Sequence, residues 1–490
     1  MFDASLFIFQ EDKMNVINGK PVIEHGFKVF KAMNPANNTE IVVIGMENVD
    51  YDEQLDILSY LRKKQYQLKI DFNIVILEFE DEVYLFDFNE KKYKLPKGQV
   101  AIIFDFIQED GKFKKEIKTI EWNASAAEKD GFEDFMLKEI YEQPTAIRET
   151  IGSRLPENSK IEFDELKFTK KYLSSINKIY IVACGTAMHA GLAGKNILEK
   201  LCKISTQVDI ASEFRYRDPL VDKNTLCIFI SQSGETADTI AALKLSKEKG
   251  AKTIAVSNVI GSSITREADY SIYTHAGPEI AVASTKAYTS QVILLNILAL
   301  YFAEVLENVD NSVIESLKKD ILELPAKIEQ TLKLSENIKE FAKKVYQEKD
   351  IFFLGRGIDE TVAKEGSLKL KEISYIHSES YASGELKHGP IALIENGITV
   401  ISILTDPNLV EKSISNIQEV ITRGAKTLVI TNQDIDKKMF DEVICIPKTN
   451  TFISPILSVV PLQLFAYYIA KEKGLDVDKP RNLAKSVTVE

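Results

Sequence analysis

The sequence predicts an α/β protein with two tandem parallel-sheet domains behind a small α/β N-terminal region. Three observations carry that prediction. From about residue 170, short β-branched runs alternate with helical stretches, the pattern of βαβ units. The runs are apolar at consecutive positions rather than alternating, as strands covered on both faces are. The series also occurs twice: GAKTIAVSN at 250–258 returns as GAKTLVITN at 424–432, and Gly185 in the first opening loop has its counterpart in Gly357. A period this long is a duplicated domain rather than a solenoid.

In chain order, TEIVVIG (39–45) and FNIVILEF (72–79) are expected strands, and DEQLDILSYLRKKQ (52–65) an amphipathic helix. A helical linker is expected over 116–169. KIYIVACG (178–185), TLCIFISQSG (225–234), KTIAVSN (252–258) and YSIYTHA (270–276) supply the strands of a first domain at 170–309. A Lys-, Glu- and Leu-rich helical connector spans 310–341. DIFFLGRG (350–357), ITVISILT (398–405), KTLVITN (426–432) and EVICIPK (442–448) supply a second domain at 342–480, and 481–490 is a polar tail.

At 490 residues the chain exceeds one core, and its 45% hydrophobic and 27% charged residues are those of a globular protein. A net charge of −12 argues against a nucleic-acid partner. Cys184, Cys202, Cys227 and Cys445 show no CxxC spacing and read as free thiols of a reducing compartment. The five histidines never pair at metal-ligand spacing, so neither a metal nor a cofactor is expected. AYTSQVILLNILALYFAEVL (287–306) carries Thr289, Ser290, Gln291 and Asn296 and reads as a buried helix, not a membrane span. MFDASLFIFQEDK has no basic n-region, and a cytoplasmic location is expected.

The chemistry-bearing stretch is SQSGETADT (231–239), directly after the buried run TLCIFI. A helix N-terminus offers unpaired N–H groups and positive potential. Ser231, Gln232, Ser233 and Thr236 add side-chain donors, while Gly234 admits a close backbone approach. No GxxxxGK accompanies them, so a sugar phosphate fits better than a nucleoside triphosphate. The second copy has ILTDPN (403–408) there instead. In EGSLKLKEISY, Glu365, Lys369 and Glu372 share one helix face; the spacing suits either a solvated ion-pair ladder or a carboxylate base tuned by a lysine.

CGTAMHAG, SQSGETADT, AGPEIAVASTKAYTSQ, EGSLKLKEISYIHSESYASGELKHGP and KPRNLAKSVTVE together resemble the glutamine–fructose-6-phosphate aminotransferase (isomerizing) family. The likeness covers about 116–490, the synthase half, which in the family is two flavodoxin-like sugar isomerase (SIS) domains. It implies conversion of fructose 6-phosphate and ammonia into glucosamine 6-phosphate by a homodimer. It further implies that Ser231, Gln232, Ser233 and Thr236 hold the phosphate, and that Thr186, Val282, Ser284 and Ala484 line the sugar. Glu372 would be the base and Lys369 its assistant. His388 would open the ring from the neighbouring subunit, and Lys485 would form a Schiff base with the open-chain sugar. His189 and His377 are expected to be structural. Ala187 departs from the family, where a serine is common.

The family's glutaminase begins, after the initiator methionine, with a cysteine. Here that position is Phe2, and no cysteine precedes Cys184. The expected ammonia source is therefore solution or a separate glutaminase subunit. Isomerisation without amination, and a non-catalytic sugar-phosphate sensor, are the alternative readings.

Overall fold

The computed structural model describes residues 129–156 and 159–488 and, before them, the strands alone. The chain divides into two compact units, 1–128 and 129–490. In the first, a short ladder joins β1 (Val16–Ile17) and β2 (Lys20–Pro21). A five-stranded mixed sheet then runs in sequence order through β3 (Lys28–Asn34), β4 (Thr39–Met46), β5 (Phe72–Phe79), β6 (Glu82–Asp87) and β7 (Lys91–Leu95). Only β4 and β5 pair in parallel within that sheet, and a crossover must join two parallel neighbours. The helix expected at 52–65 falls in that crossover and lies outside the described residues. A hairpin of β8 (Ile102–Glu109) and β9 (Lys112–Thr119) follows.

The second unit opens with α1 (Phe135–Tyr141), α2 (Gln143–Ile151) and the single turn α3 (Lys170–Leu173). The linker expected over 116–169 is thus not uniformly helical; it starts inside β9 and carries two short helices. The first domain runs β10 (Lys178–Ala183), α4 (Gly185–Cys202), β11 (Ser205–Ile210), α5 (Ala211–Phe214), β12 (Thr225–Ser231), α6 (Ala237–Glu248), β13 (Lys252–Ser257), α7 (Ser263–Glu267), β14 (Tyr270–Tyr273) and α8 (Lys286–Leu306). Its sheet is parallel throughout, in the order β11-β10-β12-β13-β14.

Helices α9 (Asn311–Leu332) and α10 (Ser335–Val345) connect the domains. The second domain repeats the plan with β15 (Asp350–Gly355), α11 (Ile358–Ser374), β16 (His377–Ala382), β17 (Thr399–Leu404), α12 (Val410–Ile421), β18 (Lys426–Thr431), β19 (Glu442–Cys445) and α13 (Ser454–Glu472). Its order is β16-β15-β17-β18-β19, the same as the first sheet. Each copy holds one strand beyond those expected, β11 and β16. Both are edge strands rich in polar residues, STQVDI and HSESYA, so they lack the continuous apolar run that betrays a covered strand.

Alternation along the strands divides the core. Ile179 and Ile181 of β10 face the large central cluster with α4 and α8, whereas Tyr180 and Val182 face Phe214, Ala242, Leu243 and Ile264 of α5–α7. In the second copy Ile351 and Phe353 join the same central cluster, and Phe352 and Leu354 pack outward with Ile417 and Val420. The inner faces of both sheets therefore share one core, in which α4 packs on α11 and α8 on α13. Helix α8 is long and apolar enough to span a membrane by composition, but 83% of that window is buried in protein.

Candidate active site

The hydroxyl loop sits where parallel α/β sheets place ligands, beyond the carboxyl end of a central strand. Strand β12 ends at Ser231, and Thr236 occupies the N-cap position of α6. Ser231 Oγ accepts from the Gly234 amide at 3.0 Å and shares a hydrogen bond with Thr236 Oγ1 at 2.9 Å. Ser233 Oγ accepts from the Glu235 amide at 3.2 Å. Gly234 has φ +71°, and a Cβ there would stand 2.0 Å from Ser262 Oγ; only glycine allows this turn. The loop is thus wound tightly, with the Ser231 and Thr236 hydroxyls brought together at the N-terminus of α6.

The face of α11 is buried rather than solvated. Lys369 and Glu365 are fully enclosed between α4 and α11 (0% exposed each). Lys369 Nζ lies 2.6 Å from Glu372 Oε2 and 3.4 Å from Glu365 Oε1, and donates to Thr186 Oγ1 at 2.9 Å. The Glu372 contact pairs the charges at close range, although its alignment is not that of a hydrogen bond. Thr186 Oγ1 in turn donates to Glu365 Oε1 at 3.1 Å, and His189 Nδ1 stands 2.8 Å from Glu365 Oε2. Burial alone would lower the Lys369 ammonium, but Glu372 and Glu365 outweigh it and hold Lys369 above the ordinary lysine range. Burial likewise raises Glu365, and Lys369, His189 and Thr186 bring it below the usual carboxylate range. The solvated-ladder reading of this spacing is overturned for Glu365 and Lys369, from which two packed helices exclude water, while Glu372 stays partly exposed.

The tail is folded onto the first domain. Its entry is fixed by Asp478, whose carboxylate accepts from the Phe135 and Met136 amides at 3.0 and 2.8 Å, capping α1. The Asp478 carbonyl accepts from the Val282 amide at 2.9 Å. Arg481 then stacks over the Tyr375 ring at 4.1 Å. Lys485 Nζ donates to Glu279 Oε2 at 2.6 Å and to the Ala281 carbonyl at 2.7 Å. One residue on, Ser486 Oγ shares a hydrogen bond with Ser233 Oγ at 3.0 Å, and the Val487 carbonyl accepts from the Ala237 amide at 3.2 Å. The last residues therefore close over the hydroxyl loop.

Sequence reasoning passed over two carboxylates here. Glu279 is fully buried; its Oε1 accepts from the Thr285 and Ala287 amides at 2.9 and 3.1 Å while Oε2 takes Lys485. Glu139 of α1 is buried, and its Oε1 accepts from the Ile280 and Ala281 amides. Its Oε2 is buried without a hydrogen bond, which suits a neutral acid and not a carboxylate. Burial, then the Glu279 charge, push Glu139 well up. Burial also raises Glu279, but Lys485 and the two amides overcome it and hold Glu279 well down. Two acids and one ammonium thus form a neutral group, with a single carboxylate opposite the lysine. Glu279 was visible within AGPEIAVAS; nothing local marked Glu139 or the place of His189 beside Glu365.

Of the remaining expected site residues, Val282 and Ser284 lie half-buried on the loop between Glu279 and α8, and Ala187 is half-buried in the first turn of α4. Gln232 contributes its carbonyl to the Asn258 amide at 3.1 Å. Ala484 is exposed beside Lys485. His388 is exposed on a 3₁₀ turn, Glu385–His388, and is not hydrogen-bonded to the Lys369 cluster among the described residues. His377 pairs with Asp350 at the surface, Nδ1 to Oδ1 2.8 Å.

The SIS domain family matches residues 172–301 and 344–472, the two sheets just described. Over 434 residues, 88% of this chain and 70% of the relative, the sequence is 55% identical to glutamine–fructose-6-phosphate aminotransferase (isomerizing) of Clostridium perfringens. The chain belongs to the glutamine–fructose-6-phosphate aminotransferase family. The aligned stretch is longer than 116–490, so the family likeness reaches back into the first 115 residues, beyond the motifs that revealed it. Among solved structures, the C-terminal domain of the Francisella tularensis glucosamine–fructose-6-phosphate aminotransferase is 40% identical, with a TM-score of 0.69, covering 72% of this chain and 100% of that one. A glucosamine-6-phosphate deaminase from Thermotoga maritima shares the fold at 23% identity and a TM-score of 0.58, covering 72% of this chain and 99% of its own.

Proposed function

We propose that this chain is an isomerising aminotransferase that makes glucosamine 6-phosphate from fructose 6-phosphate and ammonia. The observation that carries the reading is the closed tail. It sets the Lys485 amine one residue from Ser486, which touches Ser233 of the hydroxyl loop. An amine and an anion cradle held this way suit a substrate bound by its phosphate with its carbonyl within reach.

In this reading Ser231, Gln232, Ser233 and Thr236 hold the phosphate, and Thr186, Val282, Ser284 and Ala484 line the sugar. His388 of a second copy opens the ring in a homodimer. Lys485, held by Glu279 at 2.6 Å, gives up its ammonium proton to solvent, and its free amine attacks the C2 carbonyl, expelling water as the Schiff base forms. Ammonia replaces the lysine at C2. Glu372 takes a proton from C1 and returns it at C2, with the Lys369 ammonium holding it in place. A sensor needs only the phosphate loop; the buried Lys369 cluster and the Lys485 group favour catalysis.

Ammonia comes from solution or from a separate glutaminase subunit. Burial raises the Cys184, Cys202 and Cys227 thiols, the reverse of what activates a nucleophile, and all four cysteines lie in the synthase half. Product analysis tests the whole reading. With ammonium and fructose 6-phosphate the protein should yield glucosamine 6-phosphate, and with glutamine it should release no glutamate above background. Glucose 6-phosphate as the only product would instead indicate an isomerase, and glutamate release blocked by a thiol reagent would overturn the ammonia assignment.

The loop assignment has its own test. Ser233→Ala with Thr236→Val should weaken fructose 6-phosphate binding about tenfold or more, since each hydrogen bond to a charged acceptor contributes about 1.5–3 kcal/mol. Unchanged affinity by calorimetric titration would remove the phosphate from this loop.

A further inference from the structure

The two domains share one sheet order, so corresponding positions can be compared atom by atom. Ser231 pairs with Ser257 across β12 and β13, and Leu404 pairs with Thr431 across β17 and β18. The residues following each strand therefore correspond: Thr405 to Gln232 and Asp406 to Ser233. Both carbonyls accept from the loop after the next strand, Gln232 O from the Asn258 amide and Thr405 O from Gln433 Nε2, at 3.1 and 2.8 Å. Gly185 and Gly357 both have positive φ, +53° and +63°, at the start of α4 and α11. Two residues beyond these glycines stand Ala187 in the first copy and Asp359 in the second.

Asp359 is buried and points its carboxylate at the loop after β17. Oδ2 accepts from the Thr405 amide at 2.8 Å and from the Asp406 amide at 3.4 Å, while Oδ1 accepts from Thr405 Oγ1. Thr405 Oγ1 also meets Ser454 Oγ at 2.9 Å. Two successive amides and a hydroxyl thus converge on one anion, and it is covalently part of the chain. In the first copy the corresponding side chain is a methyl group, which leaves the loop's donors to a ligand.

We infer that Asp359 is a built-in substitute for a phosphate: its carboxylate permanently fills, in the second domain, the anion cradle that the first domain keeps for substrate. The chain therefore binds one sugar phosphate, and the former second site serves instead to anchor the N-terminus of α11. That helix carries Glu365, Lys369 and Glu372, so the anchored carboxylate is a positioning group for the catalytic face. Burial pushes Asp359 up to about 6 against the pull of the Thr405 and Asp406 donors, so the cradle keeps a charge that its surroundings oppose. The comparison with the first domain rests on the proposed phosphate loop; the occupancy of the second cradle does not.

Chemical rescue tests it. Asp359→Ala removes the internal anion and leaves a void lined by its donors. Formate at constant ionic strength should raise the unfolding midpoint of this variant and restore lost turnover, and chloride should do neither. The unaltered protein should show no formate-specific shift. Asp359→Asn keeps one acceptor oxygen without leaving a void, so it should fold and show no rescue. In equilibrium dialysis the unaltered chain should retain one fructose 6-phosphate. Formate rescue that fails in a folded Asp359→Ala protein, or two sugar phosphates per unaltered chain, would overturn the inference. If Asp359→Ala does not fold in any anion, the dialysis stoichiometry decides. An unaltered chain that binds no sugar phosphate, with Asp359→Ala still rescued by formate, would count against the phosphate loop and leave the filled cradle standing.

Discussion

Lys485→Ala is expected to abolish formation of glucosamine 6-phosphate, by about 10³-fold or more, while fructose 6-phosphate still binds within a few-fold of the unaltered protein. The two effects separate because different atoms serve them. The loop after β12 keeps its donors whether or not the tail carries an amine. The amine itself has no substitute: Lys369 is fully buried and committed to Glu365, Glu372 and Thr186. Borohydride added with fructose 6-phosphate should therefore trap a secondary amine on Lys485, located by mass spectrometry. An adduct on Lys369, or on no lysine, would remove Lys485 from the chemistry. Truncation after Arg481 should reproduce the loss of turnover. A truncated protein that still turns over would mean that the closed tail is packing and nothing more.

What the sequence made legible follows from how local each signal was. Strands such as IYIVA in β10 and LCIFI in β12 are covered on both faces, so every position had to be apolar and the run announced itself. The edge strands β11 and β16 have one open side and polar residues, and nothing short-range separates them from loops. The hydroxyl loop was readable because four donors and a glycine fall within six residues. Lys369 was readable only as a face, since spacing is the same for a wet ladder and a dry cluster; the packing of α4 on α11 decides between them. Glu139 was not readable at all. Its oxygen meets amides of residues 280 and 281, far along the chain, and a glutamate in KEIYEQ looks like any surface helix residue. The tail looked like a disordered terminus by composition, and its order comes from Asp478, Arg481 and Lys485 each finding a partner elsewhere.

The second large effect should come from Lys369→Met. The substitution keeps length and apolar bulk but strips the positive charge from a site with no water to replace it. Glu365, fully buried, then keeps only His189 and Thr186, and Glu372 loses the charge 2.6 Å away. Removing one partner of a buried ion pair costs about 3–5 kcal/mol, because the other is left charged in a low-dielectric site. The loss should be graded with pH. Glu365 has a depressed carboxyl, so its contribution is present above the ordinary carboxylate range and disappears as pH falls through its lower folded value. Without Lys369 that depression shrinks, protonation relieves the unpaired charge, and the stability gap between variant and parent should narrow as pH falls. Turnover should fall about 10²–10⁴-fold, the usual range for a positioned acid–base group. Adding Glu365→Gln should recover much of the stability, since the unpaired charge is gone, but none of the turnover, since Glu372 still lacks its cation. Denaturation midpoints and steady-state rates of the single and double variants separate the two roles. A single variant as stable as the parent would show that the Lys369 contact to Thr186 does not help hold α4 to α11. A double variant with restored rate would place Lys369 outside the chemistry and leave Glu372 to act without it.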